Sequence, residues 1–254
     1  MVARGKKVLS TGMTTDGSMN DKIDIQKPFG ASRRKKRKVL DFDILENNNY
    51  IPSRCFWDKG VYVQEVSRSY NLWQSIKARC KGLGNNSSYL NVTNQFESYQ
   101  YFAKWCNSQY GYLIKDSNGK FWEIDKDLLV EGSTEYSPKT CTFVPHRINS
   151  LIKTSTAGDL PEGVYLYKCN KYRAQVSGGQ NRYLGTFSTP ELAHFAYIEG
   201  KLRVVESLIL TEEDEHVRVI LNLVKQRLNI RRQKHVDSGF DGDETSWSDR
   251  SESS

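Results

Sequence analysis

The stretch from Gly163 to Gly200, GVYLYKCNKYRAQVSGGQNRYLGTFSTPELAHFAYIEG, constrains the fold more than any other part of the chain. Residues 163–168 are aromatic and β-branched, 169–171 carry a turn, and 172–177 alternate. Gly178-Gly179 predicts a tight hairpin, and 183–187 a third extended run. Thr189 is a natural N-cap, with Pro190 at the first helical position and Glu191 in the first turn. The expected unit is a three-stranded antiparallel meander with a helix across one face. Alternation assigns the faces. Tyr172, Ala174 and Val176 lie under the helix, whereas Arg173, Gln175 and Ser177 point away from it.

A sheet face carrying Arg, Gln and Tyr has the chemistry to enter a DNA major groove, where planar donors read base edges and cations neutralise phosphate. By alternation alone it is equally an ordinary solvated face. The segments GVY, KYRAQV and YLGTFSTPELAHFAY resemble the ethylene-response-factor-type (APETALA) DNA-binding domain, which also occurs in phage and bacterial endonucleases. The LGTF-x-T-x-E-x-A-x-x-AY run carries most of that resemblance. It implies that the sheet, and not the helix, enters the groove, with Tyr165, Tyr167, Arg173, Gln175 and Tyr183 facing DNA. The chain departs from the plant pattern in placing tyrosines at first-strand positions often held by arginine.

The chain has 254 residues and a net charge of +7, a balance that favours a polyanionic partner. Hydrophobic residues make up 37% and the mean hydropathy is −0.65, low enough to predict disordered ends. No apolar run is long enough to span a bilayer and residues 1–15 lack a signal-peptide core, so no membrane partner and an intracellular, cytoplasmic location are expected. The five cysteines contain no C-x-x-C pair and read as reduced thiols. Residues 1–41 are expected to be a disordered arm. They hold six consecutive cations, Arg33, Arg34, Lys35, Lys36, Arg37 and Lys38, able to bind nucleic acid without sequence preference. Residues 236–254 read as a disordered acidic tail.

Residues 42–68 carry scattered apolar and aromatic side chains and predict an irregular connecting segment. The aromatics of 39–62 are a candidate surface for a protein partner. Helical spacing starts at Ser69, with Tyr70, Trp73, Ile76 and Cys80 on one stripe ended by Gly82. A second helix over 98–109 puts Tyr101, Phe102, Trp105 and Cys106 on one side.

A candidate catalytic stretch follows, FWEIDKDLLVEGSTEYSPKTCTFVPHRINSLI over 121–152. It predicts a strand over 121–130, a turn at 131–133, a second short strand at 140–143, and a helix opened by Pro145. His146 and Asn149 are three apart and share a helical face. Carboxylates on a strand facing an imidazole and an amide on a helix could hold one divalent cation against a phosphate. With the upstream Y-x-x-W-x-x-I-x-x-R-C of 70–80, this stretch resembles phage-type HNH homing endonucleases over 69–151. The resemblance implies a ββα metal site holding Mg²⁺ or Mn²⁺ through Asp125 and Asn149. The family's general-base histidine position is occupied here by Lys126, leaving water activation to the metal alone or to His146 or Asp127 in a changed role.

Downstream, Phe195, Ile198, Leu202, Val205 and Ile209 extend the helix beyond the sheet. A further helix over 211–235 has an apolar face of Val217, Ile220, Leu221, Val224 and Leu228. The expected fold is α+β: a ββα HNH-like module over 69–152, then a sheet–helix module over 160–210, with disordered termini. Two functions fit this sequence. One is a metal-dependent endonuclease that binds and nicks duplex DNA; the other is a non-catalytic DNA-binding or protein-interaction protein on the same scaffold.

Overall fold

The computed structural model describes residues 35–82, 91–153, 159–177 and 182–238, and within them the chain is a mixed α+β fold. The N-terminal part differs from expectation. Lys35–Val39 is not part of a disordered arm but forms strand β1. The segment expected to be irregular folds as β2 (Ile44–Glu46), β3 (Asn49–Ile51), β4 (Ser53–Asp58) and β5 (Val61–Val66). Two tight turns close these hairpins. Asn47-Asn48 joins β2 to β3 and Lys59-Gly60 joins β4 to β5, and all four residues have positive φ, as two-residue hairpin turns that match strand twist require. β1 then adds in parallel to β5, giving the order β1-β5-β4 and burying Leu40 beside Val66.

The helices α1 (Arg68–Cys80) and α2 (Tyr99–Ser108) form where apolar spacing predicts them. Ser98 caps α2 by accepting the Tyr101 N–H. Trp73, Ile76, Phe102 and Cys106 bury the facing stripes, and Phe96 packs edge-on against Phe102 at 4.9 Å. Arg68 ties α1 to the chain that follows. Its buried guanidinium donates to the Tyr112 and Trp122 carbonyls at 3.0 and 3.2 Å and lies over the Phe121 ring. Asp43 works alongside, accepting from Ser69 N–H, Asn107 Nδ2 and Tyr112 Oη.

After the two-residue strand β6 (Thr93–Asn94), β7 covers only Glu123–Asp125, much shorter than the strand expected over 121–130. β8 (Glu135–Tyr136) pairs with β6, and β9 (Thr142–Val144) runs antiparallel to β7. Pro145 starts α3 (His146–Ile152), so a strand pair followed by a helix is present.

The meander is present as β10 (Val164–Tyr167), β11 (Lys171–Gln175) and β12 (Tyr183–Phe187) in the order β10-β11-β12. The expected Gly178-Gly179 connection lies outside the described residues. Thr189 Oγ1 accepts the Leu192 N–H and caps α4 (Pro190–Thr211), which covers the sheet face carrying Ala174 and Val176. α5 (Glu215–Asp237) begins at Asp214, which is itself the N-cap, and not at Thr211 as capping-box spacing suggests. Val217, Ile220, Leu221, Val224 and Leu228 are all buried, each contributing ~1.5–3 kcal/mol.

α5 joins what the sequence presents as two modules. One apolar core runs from Trp73 through Phe143 and Ile148 to Val164, Ala196 and Leu228. The junction also holds a buried ionic cluster. Glu162 Oε1 takes a hydrogen bond from Lys201 Nζ at 2.7 Å and another from the Tyr197 hydroxyl, while Glu162 Oε2 pairs with Arg231 at 3.0 Å. Next to it Gly163 adopts φ +75°, where a Cβ would sit 2.0 Å from the Tyr197 ring.

Candidate functional site

The face of the meander turned away from α4 gathers the residues predicted to meet DNA. Tyr165 pairs directly with Arg173, and Arg173 with Thr186 on the third strand. A register shift between Ala174 and Gln175 sets Gln175 opposite Tyr183, with Leu184 as the extra residue. Tyr165, Tyr167 and Tyr183 are 37%, 40% and 54% exposed, and Arg173 and Gln175 are half-buried between strands. The Arg173 guanidinium lies 4.3 Å from the centre of the Tyr167 ring and 5.4 Å from that of Tyr183. Its Nε is buried and has no hydrogen-bond acceptor among the described residues. Tyr183 Oη is engaged with Thr186 Oγ1 at 2.7 Å. Tyr165, Tyr167, Arg173 and Gln175 share this face by strand pairing, and the register shift brings Tyr183 onto it beside Gln175.

The basic run has a different fate. Arg33 and Arg34 lie outside the described residues. Lys35 begins the edge strand β1, and alternation divides Lys36, Arg37 and Lys38 between its two faces. Lys36, Arg37 and Lys38 are exposed. Arg37 donates to Asn71 Oδ1 at 2.9 Å, and Lys38 faces Glu65 at 3.8 Å, a carboxylate shared with Arg54. The cations near the end of α5 are also partnered within the protein: Arg227 donates to the Asp127 and Leu129 carbonyls, Arg231 meets Glu131 and Glu162, and Arg232 meets Glu199. Of the aromatic segment 39–62, Trp57 packs at a tilt against Tyr62 across a hairpin, with ring centres 5.1 Å apart, while Phe42 and Leu45 remain exposed.

In the strand–strand–helix region the side chains that meet are not the pair expected. Glu123, two residues before Asp125 on the same strand face, receives the helix. His146 Nδ1 lies 2.8 Å from Glu123 Oε1, Asn149 Nδ2 donates to Glu123 Oε2, and Lys153 Nζ stands 4.0 Å from the same oxygen. Ser150 Oγ lies 3.3 Å from the other ring nitrogen of His146. Burial raises the Glu123 carboxyl pKa, but the hydrogen bonds from His146 and Asn149 and the nearby charges outweigh it and hold the group below the usual glutamate value. Register explains the exchange. Glu123 pairs with Val144, only two residues before α3, whereas Asp125 pairs with Thr142, farther from the helix.

Asp125 and Lys126 serve the turn that follows β7. Asp125 Oδ1 accepts the N–H groups of Asp127 and Leu128 at 2.8 and 3.0 Å. Burial pushes its pKa up in spite of those donors. Lys126 is buried, with its ammonium on Asp127 Oδ1 at 2.7 Å and on the Ser133 carbonyl, so it clamps the loop 126–133. Of the expected metal pair, Asp125 accepts from the turn after β7, and Asn149 donates its Nδ2 to Glu123. Among the described residues no cluster of three His, Cys, Asp or Glu side chains has the spacing of a metal site. Glu123 was legible only by extending the strand parity one step backwards from Asp125.

No family model matches the chain, and neither a curated protein nor a solved structure does so. Among the described residues no helix is long and apolar enough to cross a membrane.

Proposed function

We propose that this protein binds duplex DNA through the open face of the β10–β12 sheet. The observation that carries the reading is the division of that sheet: α4 covers one face, leaving Arg173, Gln175 and three tyrosines on the other. An arginine and a glutamine two residues apart on one strand offer planar donors to base edges, and Lys171 beside them offers charge to phosphate. The basic run ending in β1 adds sequence-independent attraction. The test is fluorescence anisotropy on a labelled duplex across a salt series. Affinity should fall linearly with log salt, and neutralising Arg33, Arg34 and Lys36 should lower the slope by about one for each phosphate that no longer meets a cation. An affinity independent of salt overturns this model.

A second reading, DNA phosphodiester hydrolysis, is favoured by the Glu123–His146–Asn149 cluster. Here Asn149 fixes the Glu123 carboxylate, and Glu123 orients the imidazole by holding Nδ1. His146 Nε2, which lies 3.3 Å from Ser150 Oγ, can take a proton from water as the water oxygen attacks phosphorus and the ester oxygen leaves. The hard oxygen donors of Glu123 and Asn149 suit Mg²⁺ or Mn²⁺, and such an ion supplies Lewis-acid polarisation of the phosphoryl oxygen. A supercoiled-plasmid nicking assay with either ion decides the matter. His146→Ala should cost ~10²–10⁴-fold. No nicking by the wild type, or undiminished nicking by that variant, removes this reading and leaves a non-catalytic DNA-binding protein.

A further inference from the structure

The open sheet face carries more ring surface than a duplex groove can use. An intact duplex keeps the faces of its bases stacked on one another and offers proteins only base edges, sugars and phosphates. Against such a surface Tyr165, Tyr167 and Tyr183 contribute their hydroxyl groups, and that of Tyr183 is already engaged with Thr186. Their exposed rings find only edge contacts there, such as thymine methyl groups. Bases released from the stack are a different ligand, because every base has a π-face that stacks on an aromatic ring or on a guanidinium plane.

We propose that the open face of β10–β12 binds single-stranded DNA, stacking unpaired bases on the platform formed by Tyr165, Tyr167, Arg173 and Tyr183. This rests on the reading that the face meets DNA and names the strand state it prefers. Three observations carry it. The tyrosines come from two strands that flank β11, so their rings bracket Arg173 from both sides. The guanidinium lies 4.3 and 5.4 Å from the centres of the Tyr167 and Tyr183 rings and joins them into one continuous surface. Lys171, exposed on the same strand two residues away, adds a second cation along the path of a polyanionic backbone. The arrangement matches what sequence-tolerant single-strand binding requires: cations that track the backbone and rings that take the bases.

The experiment compares the full chain on labelled oligothymidylate and on a duplex of mixed sequence at equal salt, with wild type, Tyr167→Ala, Tyr183→Ala and Tyr167→Phe. These are exposed side chains, and circular dichroism confirms that each variant folds. Wild type should bind the single strand at least as tightly as the duplex. Each alanine should weaken single-strand binding about fivefold to 150-fold while duplex binding changes less, and Tyr167→Phe, which keeps the ring, should retain wild-type affinity. Single-strand binding that ignores the ring substitutions belongs to the basic run near β1 and overturns the inference. Duplex binding without single-strand binding also overturns it, but leaves the duplex reading standing. Failure to bind either form removes both.

Discussion

Glu162→Gln is the substitution that tests how the fold is joined. Glu162 is 8% exposed and Lys201 3%, so the carboxylate and ammonium meet out of water. Arg231 from α5 and the Tyr197 hydroxyl from α4 complete the cluster around the same carboxylate. Glutamine keeps the shape and removes the charge, leaving the buried Lys201 ammonium without its anion, while Arg231 keeps Glu131. Removing one partner of a buried pair costs ~3–5 kcal/mol, because the remaining charge is stranded. At about 2–4 °C per kcal/mol for a chain of this size, the melting temperature should fall by roughly 6–20 °C. Thermal unfolding followed by far-UV circular dichroism at pH 7 reads this directly. The paired change Glu162→Leu with Lys201→Met should recover much of the loss, since an apolar replacement strands no charge and Arg231 keeps Glu131. Acid titration gives an independent check. Burial raises the Glu162 pKa, but Lys201, Tyr197 and Arg231 outweigh it and hold the group below the ordinary glutamate value of 4.5. A depressed folded pKa means stability that is fully present above 4.5 and lost as pH falls through the folded value. Wild type should therefore lose stability below pH 4.5 more steeply than Glu162→Gln. A variant that melts with wild type and shows the same acid slope refutes the claim that this cluster fastens α5 to the sheet unit.

Other substitutions test neighbouring parts of the argument. Gly163→Ala drives a Cβ into the buried Tyr197 ring at a positive φ and should cost at least about 2 kcal/mol in urea unfolding. Asp125→Ala removes two turn hydrogen bonds and should destabilise by ~1–3 kcal/mol. If the protein nicks plasmid, the folded fraction of Asp125→Ala should nick as wild type does, whereas Glu123→Gln should slow nicking by weakening its hold on the His146 ring. Thr189→Ala removes the α4 cap and should cost ~0.5–2 kcal/mol, read in the same unfolding assay.

How far the sequence could be read depended on how local each signal was. Strand β12, the Thr189 cap and Pro190 follow one another within a few residues, and that segment folds as its pattern predicts. The five-residue stripe of α5 is likewise set by helical period alone. The N-terminal sheet was missed for the opposite reason. Its pairing of β1 with β5 joins residues far apart in sequence, and its hairpins turn on Asn47-Asn48 and Lys59-Gly60, short signals among scattered aromatics. At the Glu123–His146–Asn149 cluster the residue types were legible but the partner was not. Whether His146 and Asn149 meet Glu123 or Asp125 depends on the β7–β9 register, which strand parity leaves undetermined. The α5 arginines show the same limit, since a helix end that matches its own dipole gives no sign that Glu131, Glu162 and Glu199 lie within reach.

The central claim, that the open face of β10–β12 meets DNA, is tested most directly by comparing two arginines. Arg173 lies on that face, and Arg203 is exposed on α4. Each alanine substitution removes one positive charge, so a purely electrostatic effect of net charge moves both alike. Arg173→Ala should weaken duplex binding by ~1–3 kcal/mol, while Arg203→Ala stays within about 0.5 kcal/mol of wild type. Equal losses, or a larger loss from Arg203→Ala, would contradict it.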